Sequence, residues 1–145
     1  MDAFPHHYTA TANSDTQRSS VTVVSSGLSP LSTDAPAEFG GPGDQWSPET
    51  LVMAAVADCF VLSFRAIARA SNIDWHTIRC EATGTLDRLE RKMQFTAIEL
   101  SVSVTAPNGV DSEKLLRALH KSEDSCLITN SMTASVSLVT DLHIG

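Results

Sequence analysis

The chain has no run of Lys or Arg. Ten basic residues against seventeen acidic ones give a net charge of −7 and a pI near 5.0, which argues against nucleic acid and against an anionic membrane surface as partners. Unbroken apolar runs are short as well. The longest, LVMAAVA at 51–57, is well below the ~20 residues a bilayer span needs, so no membrane is expected. The segment MDAFPHHYTATANSD carries no Lys or Arg ahead of an apolar stretch and does not read as a secretory signal. There are three cysteines, Cys59, Cys80 and Cys126, too few and too scattered for a disulfide scaffold. Their thiols are expected to start out reduced, as in a cytoplasmic protein. The histidines at 6, 7, 76, 120 and 143 form no ligand spacing, so neither metal nor cofactor is expected.

What is present points to a folded chain. Hydrophobic residues make up 42% of 145 positions, enough for one domain over residues 1–145 with a real core. YTATA (8–12) and SSVTVVSS (19–26) alternate and are β-branched, which predicts two short strands joined by a turn at SDTQ. Residues 27–46, rich in Pro and Gly, read as an irregular loop, a length at which loops are often functional. Ser47 then reads as an N-cap and Pro48 as the first residue of a helix running to about Asn72. HTIRCEATGTLD (76–87) and MQFTAIELSVSVT (93–105) predict strands, turning at LERK, with Ile98, Leu100, Val102 and Val104 on the apolar face. A second helix is predicted over about 112–123, capped by Asp111 or Ser112, with Leu115, Leu116 and Leu119 inward. TASVSLVTDLHI closes the chain as a last strand. The order is α+β, with helices laid on antiparallel sheet.

The first helix raises the functional question. From Leu51 to Val56 it has no polar face, and a helix apolar all round is buried all round. One chain of this size has few layers with which to cover it, so an intimate homodimer is expected. Cys59 lies about three turns in, beyond useful reach of the macrodipole, among Val52, Ala55, Val56, Leu62 and Ala66. Desolvation there raises a thiol pKa, so on these facts Cys59 is a core cysteine unless a cation reaches it from elsewhere in the fold. Cys126 lies in a polar stretch, SEDSCLITNS, where packing does not call for a thiol. The two could act as an attacking and a resolving thiol, but their 67-residue separation is no metal or C-x-x-C spacing and does not itself pair them.

The chain resembles the osmotically inducible protein C and organic hydroperoxide resistance family of thiol peroxidases. GGPGDQWSPETLVMAAVADCF looks like the family's Gly-rich loop, Asn/Ser-Pro-Glu and Ala-rich helix ending in Ala-x-Cys-Phe, with the family spacing of ten between Glu49 and Cys59. SCLITNS looks like the second family motif, Cys-x-x-Ser-Asn, with Thr129 in the Ser position. The resemblance covers nearly the whole chain. It implies antiparallel sheets packed on a long central helix in an intertwined homodimer. It implies Cys59 as the peroxidatic cysteine, Cys126 as the resolving one, and Glu49 in the polar network of the site. It further implies an organic hydroperoxide as substrate and an external thiol as reductant, in some members a lipoylated protein.

Geometry bears on the dimer separately. Ten residues of helix span about 15 Å, so Glu49 serves Cys59 only from a second chain or through an intermediary. Family peroxidases also use an arginine, from the N-terminal hairpin or from the loop before the glutamate. Here that loop, EFGGPGDQ, holds no cation, and the hairpin offers Arg18 without the family's Gly-Gly-Arg setting. The rival readings are a non-catalytic dimer that binds an apolar small molecule and a thiol redox sensor.

Overall fold

A computed structural model describes all 145 residues, Met1–Gly145. The chain forms two compact units, Met1–Leu51 and Val52–Gly145. The first is built on a three-stranded antiparallel sheet in the order β1 (Thr11–Asn13), β2 (Val21–Val24), β3 (Leu31–Thr33). The first strand thus starts three residues later than YTATA predicts. The stretch expected to be irregular contains β3 and a single 3₁₀ turn, Ala37–Phe39. Three residues of strand carry too little alternation to stand out from a Pro- and Gly-rich background. Thr33 bridges to Trp46, and the Asp34 N–H donates to the Trp46 carbonyl at 2.9 Å. The chain between them is therefore a closed loop. Within it Gly41 has no alternative, because a Cβ there would collide with the Ala35 carbonyl.

Helix α1 (Pro48–Ala70) begins where the sequence places it. The Ser47 hydroxyl accepts the Thr50 N–H at 3.1 Å and the Thr50 hydroxyl accepts the Ser47 N–H at 2.9 Å. This is a reciprocal cap with Thr in the place usually held by Glu or Gln. At the other end Asn72 adopts a left-handed φ of 54° and Ile73 N–H returns to the Ala68 carbonyl, which closes the last turn.

The second unit carries the sheet β4 (Thr77–Leu89), β5 (Lys92–Ala106), β6 (Ser135–Ile144) in that order. β4 and β5 form a long hairpin whose turn residues Glu90 and Arg91 both have positive φ, the twist that suits a two-residue hairpin connection. β6 departs from the expected antiparallel pairing and runs parallel to β5. The chain between them crosses over through α2 (Ser112–Asp124) and the one-turn α3 (Leu127–Asn130), and such a crossover is what parallel pairing requires. Asp111 caps α2 through the N–H groups of Glu113 and Lys114.

The core joins the α1 residues Val56, Phe60, Phe64 and Ala68, the β5 residues Ile98, Leu100, Val102 and Val104, and Leu115, Ala118 and Leu119 of α2. Burial of each large apolar side chain contributes about 1.5–3 kcal/mol. Close approach of α1 is permitted by Gly84 on β4, where a Cβ would lie 2.7 Å from the Met53 sulfur.

Within one chain the apolar first half of α1 is not buried all round: of Leu51–Val56 only Val56 is buried and Ala55 is exposed. Those four core residues, at every fourth position, are the only buried ones among its 23. Ala55, Leu62 and Ala66 are exposed, Leu62 by 50%, and they share a face with half-buried Cys59. By length and composition α1 also reaches a membrane span, which counting unbroken apolar residues does not reveal, because Asp58 interrupts the run.

Candidate functional site: a thiol pair and an acid-lined cavity

Two places hold the residues the sequence singles out. The first lies in Val52–Gly145. Cys59 sits at mid-length of α1, half-buried. Cys126 is the N-cap of α3 and is fully buried, contrary to the expectation that a thiol in this polar stretch does no packing. The flanking polar residues Ser125 and Asp124 point outward while Cys126 turns in. The fold brings these cysteines together across 67 residues of sequence, close enough for the Cys59 thiol to favour the Cys126 thiolate.

Burial by itself would raise the Cys126 pKa. The Thr129 hydroxyl, the backbone at Thr129, the Cys59 thiol and the backbone at Ile128 outweigh it, and the net shift is below the usual thiol value. The neutral thiol makes no capping hydrogen bond. The donors of the first turn of α3 act on the thiolate, which is the stronger acceptor. Thr129 is itself buried, and its one hydroxyl proton, placed on the Cys126 carbonyl at 3.2 Å, must turn to the sulfur to serve the thiolate. In the sequence Thr129 stands out only as a motif variant. The available signal was a hydroxyl three residues after a cysteine, the spacing at which N-cap and N3 side chains meet.

Cys80, on β4, behaves in the opposite way. Burial pushes its thiol up to about 11, the nearby Cys126 adds to the rise, and Arg79 opposes it. The strand therefore keeps Cys80 protonated at neutral pH, as expected of a structural cysteine.

The second place lies in Met1–Leu51. An open cavity of about 490 Å³ is walled by Val21, Val23, Phe39 and Leu51, with Asp34 and Glu49 also in its lining. Glu49, in the first turn of α1, has its Oε1 buried with no hydrogen-bond partner, and so does Asp34 at Oδ2. Asp34 sits in a loop with no motif around it, so nothing in the sequence marks it. Arg18 lies exposed between β1 and β2 and forms no ion pair with Glu49. Glu49 and Cys59 remain ten residues apart on one continuous helix. No group of His, Cys, Asp and Glu side chains has the geometry of a metal site.

Known proteins resemble the chain over nearly its full length. Residues 41–141 match the OsmC-like protein family. An uncharacterized protein of Bacillus subtilis (strain 168), YmaD, is 24% identical over 136 residues, covering 92% of this chain and 91% of its own. Among solved structures, an OsmC-like protein of unknown function from Vibrio cholerae O1 superposes with a TM-score of 0.84 at 19% identity, over 94% of this chain and 100% of that one. An organic hydroperoxide resistance protein from Elizabethkingia anophelis superposes with a TM-score of 0.77, also at 19% identity, over 98% and 99%. At such identities the superpositions establish a shared α+β fold, and the sequence match across residues 41–141 establishes descent: the chain belongs to the OsmC-like protein family.

Proposed function

We propose that the chain is a thiol-dependent peroxidase that reduces organic hydroperoxides, acting as a homodimer of one OsmC-like domain over residues 1–145. The observation that carries this reading is the juxtaposition of Cys59 with a Cys126 thiol whose pKa is held low. Cys59 would attack the terminal oxygen of the hydroperoxide and break the O–O bond, giving the Cys59 sulfenic acid and an alcohol. The Cys126 thiolate would then attack the Cys59 sulfur, forming the disulfide and releasing water. A low pKa suits the second step, because the thiolate is the attacking form. An external dithiol, such as a lipoylated protein, would return both cysteines to thiols.

Glu49 and Arg18 complete the proposal. Since Glu49 stands ten residues from Cys59 on one helix, it would serve Cys59 of a second copy. Arg18 would pair with the unpartnered Glu49 oxygen and present its charge to that thiolate. The exposed stripe Ala55, Leu62, Ala66 beside Cys59 supports a second chain packed along α1. It would also favour an organic hydroperoxide over hydrogen peroxide, since apolar walls gain nothing from a fully polar substrate.

The test is mass spectrometry after one equivalent of cumene hydroperoxide without reductant. The expected result is rapid loss of two hydrogens, mapped to a Cys59–Cys126 disulfide and absent in Cys59→Ser. Thiols left intact, or slow oxidation that includes Cys80, would overturn the reading in favour of a non-catalytic binding protein. Disulfide formation with no turnover once excess hydroperoxide and an external dithiol are added would identify a redox sensor instead.

A further inference from the structure

We propose that Cys80 is a third redox thiol: after the Cys59–Cys126 disulfide has formed, Cys80 takes Cys126 over by thiol–disulfide exchange and returns Cys59 as a free thiol. The proposal rests on the disulfide of the peroxidase reading and goes beyond it, because that reaction leaves Cys80 unused. It begins with the place of Cys80 in the fold. On β4 the residues Ile78, Cys80 and Ala82 all pack against the core, so Cys80 faces the helices, as alternation along a strand requires. Gly84 is on the same face, and a Cβ there would lie 2.7 Å from the Met53 sulfur of α1. At the other end Trp75, just before β4, packs edge-on to Phe64 of α1 with ring centroids 5.6 Å apart. The strand and the helix therefore run side by side in opposite directions. Cys80 is four residues from Gly84 and five from Trp75. The matching midpoint of α1, between Met53 and Phe64, falls at Asp58 and Cys59.

Cys126 completes the group. The Cys59 thiol favours its thiolate, and its charge is felt in turn at Cys80. All three thiols are free, and Cys126 is the one that both others sense. The order of events follows from charge. While Cys126 is a free thiolate, the burial of Cys80 and the Cys126 charge both hold the proton on Cys80. Closing the Cys59–Cys126 disulfide removes that charge. Cys80 is thus easier to ionise after the first turnover than before it, so it stays out of the first disulfide and enters the second.

The step balances within the chain. The Cys80 thiolate attacks the Cys126 sulfur, the Cys126–Cys59 bond breaks, and Cys59 leaves as a thiolate. The proton that Cys80 gives to solvent is returned to Cys59, and nothing is oxidised or reduced overall. Only the thiolate attacks, and burial keeps it scarce at neutral pH. The exchange is therefore slow beside reduction of the first disulfide by an external dithiol, and takes over when that dithiol is spent. The freed Cys59 then breaks a second O–O bond. A chain without reductant stores two oxidising equivalents instead of one, as a Cys80–Cys126 disulfide and a Cys59 sulfenic acid.

Disulfide mapping of the full chain by mass spectrometry tests this. The Cys59–Cys126 disulfide is formed at pH 7 with one equivalent of cumene hydroperoxide and, in a parallel sample, with one equivalent of diamide. The diamide sample separates failure of the peroxidase step from failure of the exchange. Both are then moved to pH 9.5. The expected result is conversion to a Cys80–Cys126 disulfide, with Cys59 alkylated by iodoacetamide. Its rate should be independent of protein concentration and rise about tenfold per pH unit below the Cys80 pKa. In the hydroperoxide sample a second equivalent should then be consumed, with dimedone trapping Cys59. Cys80→Ala should form the first disulfide, keep it at pH 9.5 and stop at one equivalent. A wild-type Cys59–Cys126 disulfide that persists at pH 9.5 would overturn the proposal. So would exchange into Cys59–Cys80, or a rate that scales with protein concentration, which would mean exchange between chains. A chain in which neither oxidant joins Cys59 to Cys126 has nothing to hand over, and overturns it as well.

Discussion

Cys80 and Cys126 belong to the same unit and are both shielded from water, yet their thiols shift in opposite directions. Cys80 is on β4 opposite Val102, and no hydrogen bond to its sulfur offsets its burial. Only exposed Arg79, engaged with Glu81 at 2.8 Å, opposes the rise. Burial therefore wins, and the thiol stays protonated to about pH 11. Cys126 is the more deeply buried by exposed area, but it opens a helical turn, where the first N–H groups have no partners within the helix. Those groups and the Thr129 hydroxyl favour the thiolate over the thiol. Hydrogen-bond donors lower the Cys126 pKa against its own burial, and Cys80 has no such donors to offset its burial.

This contrast can be broken or sharpened by substitution. The largest effect is expected for Cys126→Ser, which should abolish the hydroperoxide-induced disulfide and leave a Cys59 sulfenic acid that dimedone traps. Cys80→Ala should leave disulfide formation intact in the same assay. Next in size is Thr129→Val, which removes the hydroxyl at nearly constant volume. The Cys126 pKa should rise, closure of the disulfide at pH 7 should slow by about tenfold, and its pH midpoint should move upward, all readable by stopped-flow. A Thr129→Val chain that closes at the wild-type rate would mean the backbone alone sets the thiolate.

The smallest effect concerns Cys80 and the stability of the fold. Its folded pKa lies above the ordinary 9.0. The stability it contributes is therefore complete below pH 9 and is lost as pH rises toward 11, because the unfolded chain releases the proton first. Urea midpoints should fall across that window. Cys80→Ala should flatten that part of the fall while costing about 1 kcal/mol at neutral pH. An alkaline slope unchanged in Cys80→Ala would show that other groups produce it.

Much of this architecture was legible in the sequence for local reasons. The Ser47–Pro48 start of α1 and the Asp111 cap of α2 follow from side chains that satisfy helix N–H groups within three residues. The alternation from Ile98 to Val104 marks the buried face of β5 because successive side chains point to opposite sides. β3 and α3 escaped notice because three or four residues hold too little pattern. The parallel pairing of β6 escaped because direction depends on the crossover and not on composition. The depth of Cys126 was misjudged for a related reason. Polar neighbours describe the outer side of a one-turn helix and say nothing of the inner.

The candidate site divides along the same line. The sequence by itself determined the residue types and their spacing: Glu49 and Cys59 ten apart on one helix, Cys126 and Thr129 three apart after α2, and Arg18 in a turn. Spacing within one element is fixed by backbone geometry, so it can be read from the chain. The tertiary structure alone decided that Cys59 and Cys126 meet, that Cys80 is held as a protonated thiol, and that Asp34 shares a cavity with Glu49, one oxygen of each buried without a donor. Those outcomes depend on which elements pack together and on which hydrogen-bonding groups the packing leaves unpaired.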